Sequence, residues 1–306
     1  MAWSGSKVAR SAACQCAIAL YTGRDPRSVG DVLIDLRRSV PLGVPEKRAT
    51  LVVPTPKPPP GTAFPPRRLT LRGVSIFELN LWCGTCPALF RKLAEPEAAD
   101  LGLANELLSE GLGRIRDEVL RAYGNVLPKS TYTVLLLETT PNLVTPPSQS
   151  DYFSHEQAAT WGVDPAVGSP EYLGTPYYRT FEAPVGQNGH LYEFVVPMVP
   201  PAWNNSERVS KYSAAAAGSD PATAVAYSLL DLLQPAMNEG EDSYEHWVLS
   251  HFLLDGHHKI EAAARAGRPV RLLSLLDERI SIAAPDDLTT MAEARSRPRQ
   301  ARSRGR

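Results

Sequence analysis

Apolar and polar residues follow two rhythms along this chain, and the change from one to the other predicts its elements. Arg68-Leu69-Thr70-Leu71-Arg72 alternates with period two and predicts a strand, and Val74 to Leu81 predicts a second. From Leu101 to Tyr123 the residues Leu103, Leu107, Leu108, Leu112, Ile115, Val119 and Leu120 recur at helical spacing. Tyr132 to Glu138 is an apolar run between prolines, as expected of a buried strand, and Leu191 to Val199 reads as a strand broken at Pro197. Pro221 to Leu233 reads as a helix through Ala224, Tyr227, Leu230 and Leu233. Asp242 or Ser243 is placed to cap another helix, one holding Trp247 and Leu249. Asp31 to Leu36 fits a strand or a helical turn.

Three stretches carry neither rhythm. Proline dominates from Pro41 to Pro66, which predicts an extended arm or linker. Residues 139–190 are rich in Pro, Gly, Ser and aromatics and read as long, ordered loops of the kind that carries function. From Pro285 the sequence decays into a polar tail. The predicted organisation is an N-terminal segment over 1–66 with its Pro-rich arm, a main domain over 67–284 and a disordered Arg-rich tail over 285–306. The predicted class is α+β, a mixed sheet with helices, and no internal repeat is present.

Composition bounds the function. With 306 residues, 43% of them hydrophobic, the chain can bury a substantial core. Its net charge of −1 hides an asymmetry: the last twelve residues hold six arginines and no acid, which leaves −7 on residues 1–294. An acidic body argues against a large duplex-DNA footprint, so nucleic acid is not the favoured partner. No run of 18 apolar residues predicts a membrane span. Lys7 and Arg10 before Ala12–Leu20 weakly imitate a signal peptide, but the run holds Gln15 and no clean small-x-small site, so a cytoplasmic location is expected. Four cysteines do not make a disulfide scaffold.

The most concentrated chemistry lies at His251-Phe-Leu-Leu-Asp-Gly-His-His-Lys-Ile-Glu-Ala-Ala263. The apolar run predicts a strand end, Asp255-Gly256 a turn, and residues 257–266 a helix that closes at Gly267 with Pro269 beyond it. Val270 to Leu276 predicts the next strand, an order compatible with a crossover unit. A helix start offers unpaired N–H groups and partial positive charge, so it suits an anion. His257, His258 and Lys259 stand at this one.

Asp255-Gly256-His257-His258-Lys259-Ile260-Glu261-Ala262-Ala263, followed by Gly267-Arg268-Pro269-Val270, resembles the Asp-Gly-x-His-Arg-x-x-Ala-Ala motif of the ParB/sulfiredoxin-like superfamily. The resemblance covers residues 250–276. It implies a ParB/sulfiredoxin-like C-terminal part in which a strand–turn–helix binds nucleotide phosphates, here through Gly256, His257, His258 and Lys259. Lys259 stands where arginine is usual and supplies a point charge instead of a fork. His257 stands where sulfiredoxins carry their reactive cysteine, which argues against sulfinic acid reduction. The expected ligand is ATP or CTP with Mg²⁺, and the expected activity a phosphotransfer to a small hydroxyl-bearing molecule. In that scheme Asp255 or Glu261 holds Mg²⁺ or accepts a proton, and His257 or His258 acts as acid or base. The alternatives are a nucleotide-gated binding protein without turnover and a ParB-like nucleic-acid-processing protein.

Other groupings carry weaker chemistry. His246, His251, His257 and His258 fall within thirteen residues, but their spacing fits no familiar zinc pattern; packing beside the site is the simpler expectation. Trp82-Cys83-Gly84-Thr85-Cys86-Pro87 resembles the thioredoxin redox motif, with a zinc knuckle including Cys14 and Cys16, or a buried thiol pair, as alternatives. Asp151-Tyr152-Phe153-Ser154-His155-Glu156 and Pro176-Tyr177-Tyr178-Arg179 fit either a stacking wall or an anchor for an ordered loop.

Overall fold

In the computed structural model the described residues are 32–54, 67–79, 90–96, 101–145, 148, 151, 154, 175–215, 221–233 and 245–296. Cys14, Cys16, the Trp82–Pro87 motif, residues 55–66, Tyr152, Phe153, His155, Glu156, Asp242, Ser243 and the arginines from Arg297 onward lie outside them.

The strands are β1 (Val32–Leu42), β2 (Leu51–Val52), β3 (Arg67–Leu71), β4 (Val74–Leu79), β5 (Arg91–Lys92), β6 (Ser130–Thr139), β7 (Asn142–Val144), β8 (Tyr177–Val185), β9 (Gly189–Val196), β10 (Thr223–Leu233), β11 (Glu245–Asp255) and β12 (Val270–Asp277). The helices are α1 (Asn105–Glu110), α2 (Asp117–Gly124), α3 (Ser206–Ala215), α4 (His257–Ala266) and α5 (Pro285–Ser296). Eight strands form one mixed sheet in the order β1-β6-β12-β10-β11-β9-β8-β7, and β2-β3-β4-β5 form a smaller antiparallel sheet. In the large sheet β10/β12 and β11/β9 run parallel and the other neighbours antiparallel. The fold is therefore α+β.

Alternate residues of the central strands point to opposite faces, and both faces are apolar. Val225, Tyr227, Leu229 and Phe252 pack with Leu69 and Phe77 of the small sheet and with Val119 and Tyr123 of α2. Ala224, Ala226, Leu230 and Leu253 pack with Ile260 of α4 and with Leu288 and Met291 of α5. Between the sheets, Arg67 donates to Asp231 at 2.6 Å in a nearly buried ion pair.

Several expectations are corrected. Residues 223–233 are a strand, not a helix, and Trp247 and Leu249, expected in a helix, lie in the strand 245–255 whose end was expected at Asp255. The apolar residues at helical spacing in both strands sit among further apolar residues, and strands covered on both faces bury them all. The helix expected over 101–123 is two short ones, α1 and α2, separated at Gly111-Leu112-Gly113. Residues 139–190 contribute β7, all of β8 and the start of β9. Of the segment expected over 1–66, the described residues 32–54 join the two sheets, because β1 pairs with β6 and β2 with β3. Residues 285–296 are a helix docked on the sheet, not a disordered tail. Finally, β11 and β12 flank β10 and run in opposite directions, so the strand–helix–strand run is no parallel crossover unit.

Candidate functional site

The predicted strand–turn–helix forms: β11 ends at Asp255, Gly256 makes the turn, and α4 starts at His257 and stops at Gly267. Gly256 has φ 94°, in the left-handed region, and gives the helix no side-chain cap. A Cβ there would lie 2.8 Å from Ala224 Cβ and 2.9 Å from Ala224 Cα, so both conformation and space require glycine. The turn is thereby pressed onto the start of β10.

Asp255, Gly256, His257, His258, Lys259 and Glu261 are all within this turn and the first helical turns, but their side chains diverge. Asp255 is buried and its Oδ2 accepts from Tyr123 Oη at 3.1 Å. His257 is buried, and its Nε2 accepts from the Met198 N–H at 3.1 Å. His258, half-buried, accepts in the same way from the Asn205 N–H at 3.1 Å. A nitrogen that accepts from an amide carries no proton, so both rings hold theirs on Nδ1 when neutral. Lys259 is buried, and its Nζ donates to the Thr223 carbonyl at 2.9 Å. Glu261 is buried, with Oε2 accepting from Asn204 Nδ2 and Oε1 paired with Arg265. Burial, and then the charge of Glu261, push the nearby Tyr178 hydroxyl pKa up. The segment 198–205 thus holds α4 through backbone amides on two histidines and an amide side chain on a carboxylate.

The four clustered histidines do not converge. His251 lies on the sheet, bonded to Ser228. His246 stacks edge-on to Tyr192, which also contacts His190. Among the described residues no three His, Cys, Asp or Glu side chains form a metal-binding group. Tyr177 and Arg179 both donate to Asp151, at 2.5 and 3.0 Å, which is the loop-anchoring alternative for those residues.

A polar stripe on the sheet was not anticipated. Ser274, Ser228, His251 and Glu193, on the neighbouring strands β12, β10, β11 and β9, have no solvent exposure. Each replaces one apolar residue on the face that α5 covers. Ser274 donates to Ser228 at 2.9 Å, and Ser228 lies 2.7 Å from His251 Nδ1. His251 Nε2 is 3.9 Å from Glu193, which accepts from Thr180 at 2.7 Å and from Arg295 of α5 at 2.8 and 3.2 Å. Burial alone would raise the Glu193 pKa, but Arg295, then His251 and Thr180, hold it at about 2. The usable signal was a polar residue between two apolar ones on one face of each strand, legible only once those segments are read as strands. Sealed under α5, the stripe has no route to substrate in this conformation and serves as a tether.

No protein-family model, no curated protein and no solved structure matches the chain.

Proposed function

We propose that the chain binds a nucleoside triphosphate, ATP or CTP, with its phosphates against the amides of Gly256–Lys259, in a ParB/sulfiredoxin-like manner. One observation carries the reading: a buried strand passes through a left-handed glycine into a helix whose start has no side-chain cap from Gly256. Such a start suits an anion, and the partly exposed His258 stands beside it. Of the two versions of this reading, nucleotide-gated binding without turnover fits better than phosphotransfer. Phosphotransfer needs a carboxylate for Mg²⁺ or for the substrate proton. Asp255 and Glu261 already accept from Tyr123, Asn204 and Arg265. Mg²⁺ would then be held mainly by the nucleotide's own oxygens.

The test is calorimetric titration of ATP and of CTP, each with Mg²⁺, with phosphate release followed in parallel. Helix-start electrostatics contribute at most about 2 kcal/mol, about half of what a 1 mM affinity requires, so the expected affinity is no tighter than about 1 mM. Binding of neither nucleotide ends the reading. Steady turnover with a hydroxyl-bearing acceptor would restore the phosphotransferase.

A further inference from the structure

Two cations line one pocket, and among the described residues neither has a counter-ion. The pocket lies between α3 and α4 and is partly open to solvent. Lys259 is 5% exposed; its ammonium donates to one carbonyl and lies 5.9 Å from the centre of the Tyr212 ring. An ammonium has three protons to place, and a buried charge without an opposite charge is unfavourable. Arg268, on the same wall, is half-buried and donates to the Ser213 carbonyl at 3.2 Å. Among the described residues no carboxylate pairs with either; the acid nearest to Lys259 in sequence, Glu261, is paired with Arg265.

The floor is of the opposite character. Ala262, Ala263, Ala266 and Val270 offer only methyl groups. A phosphate, with oxygens on every side, would leave some of them against hydrocarbon, where an unbonded polar atom is costly. A carboxylate with an alkyl tail places its one charged end on Lys259 and Arg268 and its tail on the alanines. The geometry points to this pocket as a site for a short-chain aliphatic carboxylate. This site goes beyond the nucleotide reading and stands without it.

The experiment is calorimetric titration of the full chain with acetate, butyrate and hexanoate, and with inorganic phosphate and butylamine as probes of charge alone and chain alone. The expected result is affinity rising about threefold to fourfold per methylene until the floor is covered. Lys259→Met, which keeps the stem, should lose at least tenfold for every acid. Ala266→Leu, at the far end of α4 from Gly256, should weaken hexanoate and spare acetate. Arg268→Gln gives the charge test independently if Lys259→Met does not fold. A flat series, phosphate binding as tightly as butyrate, or unchanged affinity in the charge variants overturns the site. ATP and CTP run on the same samples separate the two ideas: carboxylate binding without nucleotide binding removes only the nucleotide reading, and the reverse pattern removes only this one.

Discussion

Gly256 joins β11 to α4 in a backbone conformation that other residues adopt only at a cost, and it does so against the Cα of Ala224. Gly256→Ala should cost about 2 to 4 kcal/mol, adding the left-handed penalty to overpacking. Urea midpoints measure it. Ala224→Gly in the same chain removes the contact with Cβ but keeps the one with Cα, so it should recover only part of the steric cost and leave the conformational part. A double variant no better than the single would show that the contact is not the cause. At this scale the Asp-Gly turn and the helix end were legible, because each depends on residues beside it in sequence. The side-chain partners were not. Tyr123, Met198, Asn205 and Thr223 reach the turn from distant segments, and nothing in the local pattern marks them.

Among the elements, α4 was legible end to end because glycines bound it, whereas β10 was read as a helix. Short apolar runs satisfy periods of 2 and 3.6 alike when both faces are covered, and Ala224, Tyr227 and Leu230 satisfied the wrong one. The missed helix α5 is secured by Arg295, which is fully buried against Glu193 and lies over the Phe181 ring. Arg295→Met strands that carboxylate and should destabilise the protein by about 3 to 5 kcal/mol. Hydrogen exchange across 285–296 should rise with it. Glu193→Gln added to Arg295→Met should restore much of the loss, since no buried charge then remains. If exchange in α5 is unchanged by the single variant, the tether is not what holds the helix.

For the whole molecule, acid is the informative stress. Burial, with His190 opposite it, lowers the His246 pKa to about 4. Below the ordinary value of about 6.5 the unfolded chain takes up this proton and the folded chain does not, so stability falls with pH down to about 4. The loss is about 3 kcal/mol at most. Glu193 acts in the same direction lower down: its contribution is present above the ordinary carboxylate value and is lost as pH falls towards about 2. Urea midpoints at pH 7, 5.5 and 4.5 should decline, and His246→Phe, which keeps an edge on Tyr192, should flatten that decline. A decline of equal slope in the variant assigns it elsewhere. The α+β class was legible at this scale, but the strand order was not, because it pairs residues 32–42 with 130–139 and 130–139 with 270–277.

That order also has a consequence for how the chain is made. In the sheet β10, β11 and β12, all from residues 223–277, lie between the pair β1 and β6 and the hairpin of β8 and β9, which are also linked through β7, two residues beyond β6 and paired with β8. A nascent chain still short of residue 223 on the ribosome holds two ribbons linked at the β6–β7 end, each with an open hydrogen-bonding edge, and the apolar face that α4 and α5 cover is still bare. Between the emergence of β9 and that of β12, association with neighbouring copies competes with closing the sheet. Elongation speed and chaperone supply through that interval should therefore govern the yield of folded protein.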